Sequence, residues 1–240
     1  MKFFLGIFIL FFVGGIFAND ETPDLIIKKI QKDVYLHKSF HHVDGFGLVS
    51  SNGLVAVNNG KAFIIDTPWS DRDTGKLVSW IKEKNYELLG SISTHSHEDR
   101  TAGIKWLNAH SISTYASSLT NAILNKEGNE TAKNSFDKTI YSLADGQVEV
   151  FYPGGGHTID NLVVWLPKSK ILFGGCLVRS LGAKGLGYTG EAHIDQWSNS
   201  VETVLLRYST AKMVIPGHGK IGNLHLLKHT RQLAKSISNH

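Results

Sequence analysis

The sequence contains a single cysteine, Cys176, together with only five prolines and two methionines among 240 residues. No internal disulfide can form from one cysteine. No long linker, low-complexity segment or short repeat divides the chain. Beyond the N-terminal eighteen residues, no apolar run reaches the roughly 20 residues that a membrane-spanning helix needs. These absences favour one compact domain whose core is not cross-linked.

The sequence also has little excess of one charge over the other. The chain has 25 basic and 21 acidic residues, which gives a net charge of +4. The basic residues are scattered along the sequence and form no basic stripe of the kind that binds nucleic acid. We therefore expect no nucleic-acid partner, and nothing in the pattern indicates an oligomer, so a monomer is predicted.

The N-terminal segment is typical of a secretory signal peptide. Lys2 precedes an almost purely apolar run, residues 3–17, and Ala18 precedes the polar Asn19. This arrangement predicts cleavage after Ala18, export to the periplasm and no stable membrane association. The alternative is an uncleaved anchor, which the short apolar run disfavours. Residues 1–18 are thus assigned to the signal peptide and residues 19–240 to a single domain.

Hydrophobic periodicity predicts two similar halves, each with strands followed by helices. In the first half, Asn52-Gly53 and Asn59-Gly60 are predicted as turns between short strands. Such halves favour two sheets packed face to face with helices outside, an α/β (α+β) four-layer αβ/βα sandwich. The predicted strands are 32–38, 46–51, 53–58, 61–66, 88–94, 148–152, 162–166, 171–174 and 213–215, and the predicted helices are 73–84, 100–109, 195–208 and 221–238.

Three metal-capable side chains follow the strand predicted at 88–94. His95, His97 and Asp99 are spaced two apart, so in an extended segment they point to one side. Glu98 lies between them and is expected to be a solvated charge. Loops at strand ends place functional groups on a rigid scaffold, so this motif predicts a metal site. The competing interpretation is a polar exposed turn.

Three more candidates share this context. His157 follows three glycines, Cys176 follows two, and His218 lies in the segment Pro-Gly-His-Gly. Each comes after a predicted strand and a small turn in which glycine lets the backbone bend and approach closely. A single such residue is more often structural, but four placements of this kind in one chain indicate ligands.

The set of four histidines, one aspartate and one cysteine favours zinc over calcium or magnesium. Six ligands exceed what one tetrahedral ion with an open position uses, so they divide into two sites. A zinc thiolate also explains an unpaired cysteine in an exported protein.

The chain resembles the class B, or metallo-β-lactamase, family in its dizinc subclass. The stretches that carry the resemblance occur in the family's order: FIIDTP at 63–68, THSHEDRTAG at 94–103, GGGHTIDNLVVWLP at 154–167, GGCLVRS at 174–180 and IPGHG at 215–219. The resemblance implies the metallo-β-lactamase fold with the active site in a groove between the halves. It implies two Zn²⁺ per chain, the first on His95, His97 and His157 and the second on Asp99, Cys176 and His218.

The activity that the resemblance implies is hydrolysis of the β-lactam amide bond of penicillins, cephalosporins and carbapenems, with antibiotic resistance as the outcome. A metal-bound hydroxide is available near neutral pH because zinc lowers the pKa of bound water toward ~7. Asp99 would orient this hydroxide as well as bind metal. Asp66, Thr158 and Arg100 are expected to hold the ligands in position.

Substrate binding is where the sequence departs from the family. Arg179 stands where many members have lysine, and a guanidinium can grip the substrate carboxylate in a bidentate way. Tyr188 stands in place of an asparagine, and its hydroxyl either donates a hydrogen bond or points outward. Phe46 either covers substrate or packs beneath its hairpin, residues 39–47. Lys184 is either a second carboxylate contact or a solvated charge.

The remaining histidines have no such context. His41 and His42 lie in the hairpin and are not expected to bind metal; the others are read as surface or core residues: His37, His110, His193, His225, His229 and His240.

Two alternatives stay open at this point. One is another hydrolase of the same fold, a thioesterase or a zinc ribonuclease, in which a histidine would replace Arg100 and an aspartate would replace Cys176. The other is a non-catalytic zinc-binding protein.

Overall fold

The computed structural model describes residues 22–238, which form two β-sheets and six α-helices. The segment assigned to the signal peptide lies outside the described residues. The strands of the first sheet are β1 (Ile26–Gln31), β2 (Val34–Val43), β3 (Gly47–Asn58), β4 (Lys61–Ile65), β5 (Glu87–Ile92), β6 (Thr114–Ser117) and β7 (Asn134–Phe136). Those of the second are β8 (Ile140–Leu143), β9 (Val148–Phe151), β10 (Val163–Leu166), β11 (Ile171–Gly175) and β12 (Met213–Pro216). The helices are α1 (Asp71–Glu83), α2 (Glu98–Thr101), α3 (Ile104–Ala109), α4 (Ser118–Lys126), α5 (Ile194–Arg207) and α6 (His225–Ser238).

Both sheets combine antiparallel hairpins with parallel strands. The first has the order β1-β2-β3-β4-β5-β6-β7, antiparallel from β1 to β4 and parallel from β4 to β7. The second has the order β12-β11-β10-β9-β8, in which only the β11–β12 pair is parallel. The parallel pairs bring the carboxyl ends of β5, β11 and β12 to the edges where the candidate ligands follow in the sequence.

The two sheets enclose a shared core, and helices cover their outer faces. Along β3, Leu54 and Ala56 point into the core between the sheets, whereas Val55 and Val57 point outward into a cluster with α1. This alternation is the period of two expected when both faces of a strand are buried. Helices α5 and α6 pack on the outer face of the second sheet around Trp197. The predicted αβ/βα sandwich is confirmed.

The predicted turn at Asn52-Gly53 is wrong, because β3 runs without a break from Gly47 to Asn58. The Asn52 amide group donates to the carbonyls of Pro216 and Gly219, at 2.9 and 3.0 Å, so its polar side chain joins β3 to the segment that carries His218. A Cβ at Gly53 would lie 2.3 Å from the buried His37 ring. Both residues therefore serve packing inside the sheet. The turn at Asn59-Gly60 is confirmed, since both residues have positive φ between β3 and β4.

Two predicted helices differ from the structure. The helix expected over 100–109 is divided into α2 and α3 at Ala102 and Gly103. The chain passes so close to Thr67 and Thr74 here that a Cβ at Gly103 would approach them to 2.8 and 2.4 Å. The helix expected from residue 221 begins at His225, because Gly222 forms a β-bridge with Val214. Four strands and one α-helix of the described residues were not predicted from the sequence: β1, β6, β7, β8 and α4.

Among residues 22–238, no helix combines the length and apolarity needed to cross a membrane.

Candidate metal centre

The first part of the site is built where β5 ends. Asp66, fully buried at the end of β4, accepts hydrogen bonds from the backbone nitrogen and the hydroxyl of Thr94, at 2.7 and 2.9 Å. Thr94 immediately precedes His95, so these bonds fix the point at which the ligand segment leaves the sheet. Burial raises the pKa of Asp66 to about 6, against the opposing effect of Arg100.

The expectation that His95, His97 and Asp99 share an extended segment is wrong beyond His97. Helix α2 begins at Glu98, and His97 is its extended N-cap residue. Asp99 therefore lies in the first helical turn, where its Oδ2 approaches Arg100, Cys176 and His218 while its Oδ1 remains 3.9 Å from His95 Nε2. Glu98 is exposed, as expected for a solvated charge.

Three imidazoles converge at this end of the groove. The ligand-capable atoms of His95, His97 and His157 all lie within 4.8 Å of one another, and His157 Nε2 is 3.1 Å from His97 Nδ1. Buried His95 Nε2 has no hydrogen-bond partner among the described residues, so its lone pair is free for an ion. Burial lowers the pKa of His157 to about 3 and that of His95 well below its ordinary value, with the neighbouring imidazoles adding to the effect. Both rings are therefore neutral, which is the form that binds metal.

A second triangle of ligand atoms adjoins the first. Asp99 Oδ2, Cys176 Sγ and His218 Nε2 are separated by 3.6, 3.3 and 3.2 Å. Ligands held at about 2.1 Å around a tetrahedral ion are roughly 3.4 Å apart, so these spacings fit zinc. His218 Nδ1 donates to the carbonyl of Ser50 at 2.8 Å, which leaves Nε2 facing the triangle. His95 Nε2 lies 3.9 Å from Asp99 Oδ1, so the two triangles of ligand atoms adjoin each other at the bottom of the same groove.

Arg100 supports the second triangle from below. Its fully buried guanidinium lies 2.7 Å from Asp99 Oδ2 and donates to Cys176 Sγ at 3.0 Å and to Asp66 Oδ2 at 3.1 Å. It also donates to the carbonyls of Asn52 and Gly217. Burial alone would raise the pKa of Asp99, but Arg100 and the histidines outweigh it and hold that pKa well below the ordinary value. Arg100 thus keeps Asp99 ionised.

The electrostatics of His218 are consistent with a cation at this position. Burial alone would lower the pKa of His218, yet Cys176 and Asp99 raise it to about 10. A proton on Nε2 and a metal ion compete for the same lone pair. Gly217 is needed here, because a Cβ would lie 2.6 Å from both Cys176 Sγ and the Arg100 guanidinium.

Thr158 supports the site through its backbone. Its amide nitrogen donates to Asn161 Oδ1 at 3.2 Å, and its carbonyl accepts from Gly156 at 3.0 Å, which closes the turn around His157. The buried Thr158 hydroxyl has no partner among the described residues.

A groove of about 760 Å³ opens above the two triangles. Phe46 lines one wall from the tip of the β2–β3 hairpin and is 57% exposed, so it does not pack beneath the hairpin. Arg179 and Tyr188 also line the groove. The half-exposed Tyr188 ring meets the His97 ring edge-on at 5.9 Å, and its hydroxyl lies against Gly190. Lys184 is exposed and does not line the groove.

Two residues at this site were not anticipated from the sequence. Trp69 lines the groove, stacks on His41 and packs against His218, at ring distances of 5.2 and 6.3 Å. Its only sequence signal is its position directly after the Asp-Thr-Pro stretch at 66–68. Glu191 Oε2 lies 2.6 Å from His97 Nε2. Nothing in the sequence singled it out, because it is 94 positions from its partner.

The other histidines lie apart from the ligand set. His37 is buried and its Nε2 donates to the Asp66 carbonyl at 3.0 Å, His110 stacks on Trp106, and His225 is exposed. His240 lies outside the described residues.

Comparison with known proteins agrees with this geometry. A metallo-β-lactamase type 2 from Pseudomonas aeruginosa is 46% identical over 234 residues, covering 98% of this chain and 94% of that protein. The crystal structure of the DIM-1 metallo-β-lactamase exposed to ceftazidime is 65% identical with a TM-score of 0.90, covering 91% of this chain and 100% of that one. The structure of TMB-1 is 64% identical with a TM-score of 0.89, covering 90% and 100%. Residues 46–218 match the metallo-β-lactamase superfamily, and the chain therefore belongs to that family.

Proposed function

We propose that this protein hydrolyses the amide bond of β-lactam antibiotics, carbapenems included, with two zinc ions, and so confers resistance. The observation that carries the proposal is the pair of adjoining ligand triangles on the floor of an open groove. The first ion is assigned to His95, His97 and His157, and the second to Asp99, Cys176 and His218. Bound zinc would supply a water that is nucleophilic near neutral pH and a Lewis acid for the lactam carbonyl.

The chain's own residues provide orientation and charge. Asp99 directs Oδ2 at Arg100, Cys176 and His218, which leaves Oδ1 to accept a hydrogen bond from the attacking water or hydroxide and so to orient it. The neutral imidazoles of His95 and His157 bring no positive charge of their own. Arg100 balances the negative charge that Asp99 and the Cys176 thiolate place in a buried region.

Substrate recognition is assigned to the two walls of the groove. Arg179 lines the groove, and its Nε donates to the carbonyl of Gly185 at 3.2 Å, which leaves the terminal nitrogens for a substrate carboxylate. Phe46 offers an exposed apolar face that can cover the bound ring. Tyr188 forms the rim beside His97, and Lys184 contributes charge only at longer range.

Arg100 and Cys176 also favour this proposal over a thioesterase or ribonuclease of the same fold. A histidine at position 100 could reach an ion directly, whereas the Arg100 guanidinium lies beneath Asp99 and Cys176 and can bind none. A non-catalytic zinc protein would have no use for Arg179 in the groove wall. We further propose that the protein acts as a monomer in the periplasm after removal of residues 1–18, with small β-lactams and no nucleic acid as partners.

The proposal is tested by the turnover of a penicillin and a carbapenem, followed by the loss of their ultraviolet absorbance. Zinc-loaded protein is expected to hydrolyse both, to lose activity after chelation and to regain it when zinc is restored. A glutathione thioester serves as the comparison substrate for the alternative hydrolases. If the zinc-loaded protein turns over the thioester but neither β-lactam, the proposal is wrong.

A further inference from the structure

The loop at residues 177–193, which follows Cys176 and leads into α5, contacts the three-histidine site at His97. Glu191 Oε2 lies 2.6 Å from His97 Nε2, in a contact that is half-open to solvent, with the two side chains 51% and 24% exposed. The Tyr188 ring lies against the same imidazole. Glu191 and Tyr188 therefore both contact the His97 side chain.

The contact determines which nitrogen of His97 faces the site. A carboxylate can only accept a hydrogen bond, so His97 Nε2 must carry the proton that it shares with Glu191. The other nitrogen, Nδ1, then presents a lone pair on the side where His157 Nε2 lies 3.1 Å away. An outer carboxylate of this kind fixes the ring orientation of a metal-binding histidine and increases its basicity.

The same loop carries the groove wall that is proposed to bind substrate. Arg179 stands at its start and its side chain holds the carbonyl of Gly185, while His229 on α6 contacts the carbonyl of Ala183 at 2.9 Å. These contacts fasten the first part of the loop. The end of the loop is fastened by the backbone nitrogen of His193, which donates to the carbonyl of Gly156 at 2.8 Å. Between these two fastened parts, the contact of Glu191 with His97 lies next to Tyr188.

We propose that Glu191 is a positioning residue that couples metal occupancy of the His95–His97–His157 site to the order of the loop at residues 181–190. The coupling rests on the proposed function insofar as Arg179 and Tyr188 bind substrate. Because such coupling is reciprocal, zinc orders the loop and the ordered loop strengthens zinc binding.

The test is the variant Glu191→Ala, with Thr189→Ala as a matched control, since Thr189 is an exposed residue of the same loop. Zinc affinity is measured by competition with a chelator, and order in residues 181–190 by hydrogen exchange with and without zinc. The wild type and Thr189→Ala are expected to gain protection in the loop when zinc is added. Glu191→Ala is expected to bind its first zinc about 10-fold more weakly than the wild type. This is the low end of the effect of removing an outer carboxylate, because the Glu191–His97 pair is partly exposed. The variant is also expected to lose the zinc-dependent protection of the loop.

Glu191→Gln should fall between the two, because an amide oxygen still accepts a hydrogen bond but carries no charge. Equal zinc affinity and equal protection in Glu191→Ala and wild type would overturn the inference, as would a wild-type loop whose exchange does not respond to zinc. Neither readout uses a β-lactam. A wild-type protein that shows the coupling but hydrolyses no β-lactam would contradict the proposed function alone. A protein that hydrolyses β-lactams but shows no coupling would contradict only the role of Glu191.

Discussion

Replacing Arg100 with methionine is expected to lower the free energy of unfolding of the zinc-free protein by about 3–5 kcal/mol. The guanidinium is fully buried and contacts Asp99, Asp66 and Cys176. Methionine fills the volume but leaves these groups without their cation, and an unpaired buried charge costs far more than an exposed pair contributes. Urea denaturation at neutral pH measures the change.

Arg231→Met is the matched control, because Arg231 forms an ion pair with Glu202 in which both side chains are about a third exposed. Such a pair contributes at most about 1 kcal/mol. Arg100→Lys retains the charge but lacks the planar fork that reaches several acceptors, so an intermediate loss is expected, and this variant remains informative if Arg100→Met does not fold. Adding Asp66→Asn to Arg100→Met should recover part of the loss. Equal destabilisation by Arg100→Met and Arg231→Met would contradict the role assigned to Arg100.

The second large effect is expected from Cys176→Ser. Serine is close in size but is not ionised near neutral pH, so the second triangle loses its thiolate, and zinc bound per chain should fall from two to one after dialysis against low zinc. Outer residues of metal sites already affect activity 10–100-fold, so loss of a direct ligand is expected to lower β-lactam turnover by about 100-fold or more. Metal analysis measures the zinc bound per chain, and initial rates measure the β-lactam turnover.

A cobalt-substituted sample gives a readout specific to the thiolate. The wild type should show a near-ultraviolet charge-transfer band between sulfur and cobalt, and Cys176→Ser should lack it. His225→Ala is the control, because His225 is exposed on α6, apart from the groove. Unchanged zinc content and turnover in Cys176→Ser would show that the cysteine is not a ligand.

The layered fold was predictable because its main strands bury both faces and its helices are amphipathic. The alternation of Leu54 and Ala56 with Val55 and Val57 encodes the two faces of β3 directly. The short elements β6, β7 and α4 were not predictable, since their stability comes from contacts distant in sequence. Asn121 on α4, for example, exchanges hydrogen bonds with the backbone of Ala132.

The turn wrongly assigned to Asn52-Gly53 has a similar cause. Asparagine followed by glycine is a strong local turn signal. Here the asparagine bonds to Pro216 and Gly219, more than 160 positions away, and the glycine makes room for His37. Long-range contacts therefore override the local preference.

The candidate ligands could be recognised because each follows a strand and a small turn, a feature that is local in sequence. Their division between two triangles depends on α2, which places Asp99 in a helical turn where its Oδ2 approaches Cys176 and His218. Glu191 and Trp69 could not be identified in this way, because a lone glutamate or tryptophan in a loop has no pattern of its own. Only the folded chain brings them to His97 and His218.

The central claim is that two zinc ions on one groove floor make this chain a β-lactam hydrolase. The most direct test is to titrate zinc into metal-free protein while penicillin turnover is measured in the same samples. We expect tight binding of two equivalents per chain and turnover that rises with them and saturates at two. A protein that binds two equivalents and hydrolyses no penicillin, or one that hydrolyses penicillin fully without metal, would contradict the claim.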